Sequence, residues 1–89
     1  MLVIDTPAGP ADLPRLCARL RALLEASGAE VAACDARALP GTFDSVEVLM
    51  RLRLCALRSG RRFRVVRAST RLALMLAFCG LSDVLGLGL

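Results

Sequence analysis

The chain contains no histidine, tryptophan, tyrosine or lysine. The lack of histidine removes the side chain that most often serves as a general base and as a metal ligand. The only aromatic residues are Phe43, Phe63 and Phe78, too few for the stacking surface of a protein that binds single-stranded nucleic acid. The composition therefore argues against an enzyme, a metal site and a nucleic-acid partner. We expect no catalytic residue and no cofactor.

Glycine-rich nucleotide-binding motifs and CxxC motifs are also absent from the sequence. Neither GxGxxG nor a P-loop sequence occurs, which argues against dinucleotide and P-loop nucleotide binding. The cysteines lie far apart in apolar stretches, so we expect reduced structural thiols rather than a zinc site or a disulfide framework. They are Cys17, Cys34, Cys55 and Cys79.

Targeting and membrane-spanning segments are not visible in the sequence. The N-terminus lacks a basic segment followed by an apolar run, and no window holds the roughly 18 apolar residues of a membrane span. We therefore expect a cytoplasmic protein whose thiols stay reduced.

The residues that are present predict one small domain with surplus apolar surface. A length of 89 residues suits a single domain over residues 1–89. Because 56% of them are hydrophobic, we expect surplus apolar surface that a protein partner or a homo-oligomer would cover. All twelve cations are arginines, and the net charge is +4. A GC-rich coding sequence explains that bias, and the alternative is anion recognition by Arg61, Arg62, Arg64 and Arg67.

Short apolar runs alternate with amphipathic stretches along the whole chain. The patterns predict strands at residues 2–4, 30–36 and 62–67, and helices at residues 11–27, 44–59 and 70–79. Strands that alternate with helices form a parallel sheet with right-handed crossovers. We therefore expect an α/β fold: a small, mainly parallel sheet with alternating helices, of the order βαβαβα. The apolar run at 30–36 is typical of a strand covered on both faces.

Several residues are candidates for helix ends. Asp12 and Ser69 are candidate N-caps of the first and third helices. Asp44 and Glu47 have the spacing of a capping box, and Phe43 precedes them as a candidate hydrophobic staple. Gly28, Gly60 and Gly80 are predicted to end the three helices. A short turn is predicted at residues 82–85, and Gly86 and Gly88 then mark a loose tail.

The second helix carries more apolar surface than one sheet face needs. Only a few polar residues occupy its outer side, so the helix is a candidate contact surface. With the loop at residues 40–45 it predicts the following partner-binding residues: Phe43, Asp44, Ser45, Glu47, Val48, Arg51, Leu52 and Cys55.

The order of elements and a few short strings resemble a known family. The strings are the helix start Asp44–Ser45, the strand exit RVVRAS at residues 64–69, and CGLSDVL at residues 79–85. Together they are similar to a STAS domain, the fold of anti-sigma factor antagonists. In this chain Asp-Ser-Val-Glu stands where the family usually has Asp-Ser-Ser/Thr-Gly, and the strand that usually precedes the first one is missing.

The resemblance implies a non-catalytic regulator of bacterial transcription. Such a domain binds a serine/threonine kinase that is also the anti-sigma factor, and phosphorylation at the start of the second helix breaks the complex. The candidate phosphosites here are Ser45 and Thr42, and the alternative for Ser45 is a structural role in the first turn of the helix. A second hypothesis keeps the fold but makes the chain a small cytoplasmic subunit that docks on the ATPase of an ABC lipid transporter.

Overall fold

Three strands and three helices alternate along the chain in the computed structural model, which describes residues 1–86. The strands are β1 (Leu2–Val3), β2 (Val31–Asp35) and β3 (Arg62–Val66). The helices are α1 (Leu13–Ser27), α2 (Phe43–Arg58) and α3 (Thr70–Phe78), and a short 3-10 turn (Pro10–Asp12) precedes α1. The predicted α/β class and the order βαβαβα are confirmed, with boundaries that differ by one or two residues.

The three strands form one parallel sheet in the order β1-β2-β3. Because right-handed crossovers between sequential strands lie on one side of a sheet, α1 and α2 cover the same face. Burial alternates accordingly along β3, where Phe63 and Val65 are buried and Arg62 and Arg64 are exposed. The other side, here called the open face, carries one buried side chain, Asp35, at the carboxyl end of β2. Its other side chains are half-buried or exposed: Val3, Val31, Ala33, Arg62, Arg64 and Val66.

The prediction that β2 is covered on both faces, which was based on its apolar run, is therefore wrong. The helices bury Ala32 and Cys34, whereas Val31 and Ala33 on the open face stay half-buried. Sequential strand order explains this, because no crossover returns along the second side of the sheet.

Helix α2 lies at the centre of the helical layer and packs on α1, α3 and β3. It buries Val48, Leu49 and Leu52 completely, and each such side chain contributes about 1.5–3 kcal/mol through removal from water. On α1 the buried residues follow one another every four positions, at Leu16, Leu20 and Leu24. The core thus lies between one sheet face and a helix layer whose centre is α2.

The start of α2 differs from the predicted start. Thr42, with extended backbone angles, is the N-cap, and its Oγ1 accepts a hydrogen bond from the Ser45 N–H at 3.2 Å. The predicted capping box of Asp44 and Glu47 is therefore wrong, because the helix begins one residue earlier. The staple is wrong too, since Phe43 as first helical residue is 74% exposed.

The other helix ends follow the sequence more closely. The Ser69 Oγ accepts the Leu72 N–H at 3.2 Å, so Ser69 is confirmed as the N-cap of α3. Asp12 occupies the N-cap position of α1, but its carboxylate accepts the Gly9 N–H at 3.0 Å instead of an N–H of the helix. That hydrogen bond, and then the Arg15 guanidinium, hold the pKa of Asp12 below its ordinary value.

The segment after α3 lies along the outer edge of β3. The Leu85 carbonyl accepts the Val65 N–H at 3.0 Å, and the Leu85 side chain is fully buried. The predicted short turn is present at residues 82–86, but Gly86 is packed rather than loose. Gly88, also predicted to lie in a loose tail, is outside the described residues.

Candidate functional site

The carboxyl ends of the three parallel strands lie at the same edge of the sheet as the starts of α2 and α3. This edge is where parallel α/β domains usually contact their ligands and partners. The loop between β2 and α2 crosses it, and the first turn of α2 follows. The sequence had singled out that loop and turn as the contact region.

The two candidate phosphosites have very different accessibility. Thr42 is exposed, whereas Ser45 is completely buried. Their hydroxyl oxygens lie 3.2 Å apart and share a hydrogen bond. A kinase could reach the Thr42 hydroxyl on the folded chain, but it could reach Ser45 only after the first turn of α2 opened.

The predicted contact residues fall into two groups on adjacent sides of α2, one buried and one exposed. Ser45, Val48, Leu52 and Cys55 lie on the inner side and are 7% exposed or less. Their spacing of three or four residues keeps them on one stripe that faces the core. These four side chains belong to the core of the chain itself, so the surface that a partner can reach is narrower than the predicted set.

The outer group is accessible. Four of the predicted residues are exposed, and Thr42 lies beside them; together they are called the α2-start surface: Thr42, Phe43, Asp44, Glu47 and Arg51. The Arg51 Nε lies 3.9 Å from the Glu47 Oε2, a weak ion pair between exposed side chains. The surface is therefore one aromatic ring within a polar, partly acidic rim.

A buried carboxylate supports this surface and was not singled out from the sequence. Asp35 ends β2 with its side chain 1% exposed, and its Oδ1 accepts the Arg37 N–H at 3.0 Å. Its Oδ2 lies 3.5 Å from the Arg67 Nη1 and 3.8 Å from the Arg37 Nε. Arg67 has a φ of 58°, which is uncommon for a residue with a side chain. The carboxylate thus ties the end of β3 to the loop that leads into α2.

Arg71 of α3 holds the same loop from the other side. An ideal Cβ on Gly41 would lie 2.2 Å from the Arg71 Cγ, so the stem of this arginine crosses directly over Gly41. A side chain at residue 41 would require the exposed Arg71 side chain to move. The first turn of α3 therefore packs on the residue that precedes the cap of α2.

The four arginines considered for anion recognition do not share a surface. Arg61 turns back to donate hydrogen bonds to the Ala29 and Ser59 carbonyls. Arg62 and Arg64 lie on the open face, and Arg67 contacts Asp35. Two of the four, Arg61 and Arg67, thus contact other residues of the chain itself.

A groove of about 340 Å³ lies between α1 and the second half of α2. It is lined by Leu13, Pro14, Cys17, Arg21, Arg51, Leu54, Cys55, Arg58 and Ser59. The Cys55 thiol donates to the Cys17 carbonyl at 3.7 Å. Burial, and then the neighbouring Cys55 thiol, raise the pKa of Cys17. None of the sequence patterns predicted this groove, since its walls come from two helices distant in sequence.

Residues 1–86 contain neither a membrane-spanning helix nor a cluster of metal ligands. No helix in this range is long and apolar enough to cross a membrane. Within the same range, no three cysteine, aspartate or glutamate residues form a group suited to a metal ion.

Comparisons with known proteins add no family to these observations. A scan against protein-family models finds no match, and searches of curated proteins and of solved structures find no significant match. The functional argument therefore depends on the fold and the geometry of this chain.

Proposed function

We propose that the chain is a non-catalytic protein-interaction domain of the STAS type, similar to an anti-sigma factor antagonist. Its partner is a serine/threonine kinase of the anti-sigma class, and the contact is the α2-start surface. The observation that carries the proposal is the exposure of Phe43, 74% of whose surface is accessible although it lies on a well-anchored helix start. An exposed aromatic ring on a rigid element is the usual anchor of a protein interface.

The rigidity of that helix start supports the proposal. Thr42 caps α2, Ser45 is buried beneath it, and Arg71 crosses the preceding glycine. A side chain held on such an element loses little conformational freedom when a partner binds, which favours affinity. The acidic rim of Asp44 and Glu47 suits a partner surface that carries arginine or lysine.

Regulation by phosphate belongs to the same proposal, with Thr42 as the acceptor. A phosphate there would add about −1.5 to −2 charge next to Phe43 and Asp44. The N–H groups at the start of α2 tolerate that charge, so the fold survives. A partner bound over Phe43 would contact the new negative charge directly, and the complex would dissociate.

The first test measures affinity with a matched pair of phenylalanine variants. Candidate anti-sigma kinases from the same organism are titrated calorimetrically with the wild type, Phe43→Ala and Phe78→Ala. Phe78, at the end of α3, is 93% exposed and serves as the control. We expect Phe43→Ala to weaken binding by at least about 2 kcal/mol, the loss typical of a central anchor, and Phe78→Ala to leave it unchanged. Equal losses, or none, would contradict the proposed contact.

The second test locates the phosphate. The chain is incubated with the binding kinase and ATP, and its intact mass is measured for the wild type, Thr42→Val and Ser45→Ala. We expect one added phosphate in the wild type and Ser45→Ala, and none in Thr42→Val. Phosphate retained in Thr42→Val but lost in Ser45→Ala would assign the switch to Ser45 instead.

A second candidate function rests on the remaining exposed apolar side chains. Leu54 and Leu57 of α2 are each 44% exposed, and Leu74 of α3 is 66% exposed. Permanent complexes bury larger and more apolar surfaces than transient ones, which favours stable docking on the ATPase of an ABC lipid transporter. Recovery of transporter subunits in a pull-down, with no kinase among the captured proteins, would replace the first proposal by this one.

A further inference from the structure

We propose that the groove between α1 and α2 binds a small anionic amphiphile, a carboxylate with an apolar body such as a medium-chain fatty acid. The groove lies along the second half of α2, whereas Phe43 is at the start of that helix. Arg51 belongs to both the groove and the α2-start surface, so the inference is tested on groove residues outside that surface.

The charge of the groove favours an anion. Arg21, Arg51 and Arg58 line it, and no aspartate or glutamate is among its lining residues. Of these three, Arg51 alone is paired with a carboxylate among residues 1–86, at 3.9 Å and exposed. A guanidinium group is well suited to two-point contact with a carboxylate.

The lining residues other than the three arginines are uncharged, and most of them are apolar. Leu13, Pro14 and Leu54 contribute hydrocarbon surface, and the thiols of Cys17 and Cys55 lie beside them. Because burial raises the pKa of Cys17, its thiol remains protonated at neutral pH and does not repel an anion. Apolar lining residues beside three cations match an amphiphile better than a bare inorganic anion.

The size of the groove limits the ligand. At about 340 Å³ it is near the lower end of known small-molecule sites, about 300–1,000 Å³. A fatty acid of about ten carbons suits that space, so decanoate is the probe. Each methylene that enters the groove should tighten binding about fourfold, which predicts a steady gain from hexanoate through octanoate to decanoate.

The reactivity of two cysteines of the chain can report whether a ligand occupies the groove. Cys17 is half-buried in the groove, and Cys79 is exposed at the end of α3. The rate at which a maleimide modifies each cysteine is followed by peptide mass, with and without decanoate below its micellar concentration. At ten times the dissociation constant we expect Cys17 to react about tenfold more slowly, as occupancy by mass action requires. The rate at Cys79 should not change.

Arginine variants test the charge argument by calorimetry. Arg21→Gln and Arg58→Gln should each weaken decanoate binding about fivefold, the upper range for an exposed ion pair. Arg62→Gln is the matched control, because Arg62 is an exposed arginine on the open face. Decanol, which has the same chain without the charge, should bind more weakly than decanoate.

Several results would overturn the inference. They are equal slowing at Cys17 and Cys79, equal affinity for decanol, an effect of Arg62→Gln as large as that of Arg58→Gln, or no heat of binding with decanoate. Protection of Cys17 by an acidic peptide but not by decanoate would also overturn it, since the groove would then belong to a protein. None of these outcomes depends on the affinity of the kinase for Phe43.

Discussion

At the scale of single residues, the missing side chains simplify the alkaline chemistry of this chain. Without histidine, lysine or tyrosine, cysteine is the only side chain that titrates between neutral pH and the pKa of arginine. Burial raises the pKa of Cys34 to about 12, and the adjacent Asp35 adds to the effect. Among the side chains, the thiols therefore determine how stability changes in alkali.

The pH dependence of unfolding follows from that shift. Above about pH 9, the ordinary value for cysteine, the unfolded chain loses the Cys34 proton while the folded chain keeps it. The free energy of unfolding should then fall by up to ~1.4 kcal/mol per pH unit until about pH 12. Urea unfolding at a series of pH values checks this.

Cys34→Ala is the control for the alkaline slope. It removes the titrating group, so we expect a lower free energy of unfolding at pH 7 but a shallower decline above pH 9. Because the pKa of Cys17 is raised as well, the free energy of unfolding still declines with pH in the variant, but less steeply. An undiminished slope would show that Cys34 is not the source.

Asp35 is the second residue whose chemistry predicts a stability effect. Its Oδ1 accepts the Arg37 N–H from a position that is 1% exposed. Asp35→Ala leaves that N–H without its partner, which costs about 1–3 kcal/mol. Asp35→Asn keeps an acceptor oxygen and should lose less, as measured by the urea midpoint. Equal losses would mean that the charge, rather than the hydrogen bond, matters here.

At the scale of elements, local sequence patterns predicted the wrong capping residue at the start of α2. Thr42 and Asp44 are both good capping residues, and only Asp44 has an acidic residue three positions later. The structure selects Thr42, because the cap then buries Ser45 and leaves Gly41 beneath Arg71. The contact of Gly41 with Arg71 joins residues that local pattern does not connect, so the choice of Thr42 and the exposure of Phe43 could not be predicted.

The segment after α3 gives a prediction at the same scale. Gly80 and Gly86 both have positive φ, 72° and 56°, so alanine is strained at either position. A Cβ at Gly80 meets open space, whereas one at Gly86 would lie 2.9 Å from the Phe63 carbonyl oxygen. Gly86→Ala should therefore lose about 1–3 kcal/mol more than Gly80→Ala in thermal or urea unfolding. Similar losses would mean that residue 86 does not pack on β3.

At the scale of the whole molecule, alternation along the chain was sufficient to predict the architecture. Buried Phe63 and Val65 alternate with exposed Arg62 and Arg64, which is the period of a strand with one covered face. The order of the strands in the sheet and the face left open follow from tertiary packing, which a single sequence does not display.

The functional surfaces were less predictable than the fold. The apolar residues of α2 surround the helix, so periodicity alone did not separate buried Leu52 from exposed Leu54. Asp35 looked like an ordinary strand end, although it is buried between two arginines. The homo-oligomer expected from the surplus apolar surface stays a prediction.

The central claim is that a partner meets this domain at the start of α2. Its most direct test is the mapping of amide chemical shifts in a ¹⁵N-labelled chain titrated with a candidate kinase of the proposed anti-sigma class. We predict that the largest changes fall on residues 42–51, with little change at Arg62 and Arg64 on the open face. Changes concentrated on the open face, with the start of α2 unaffected, would contradict the account.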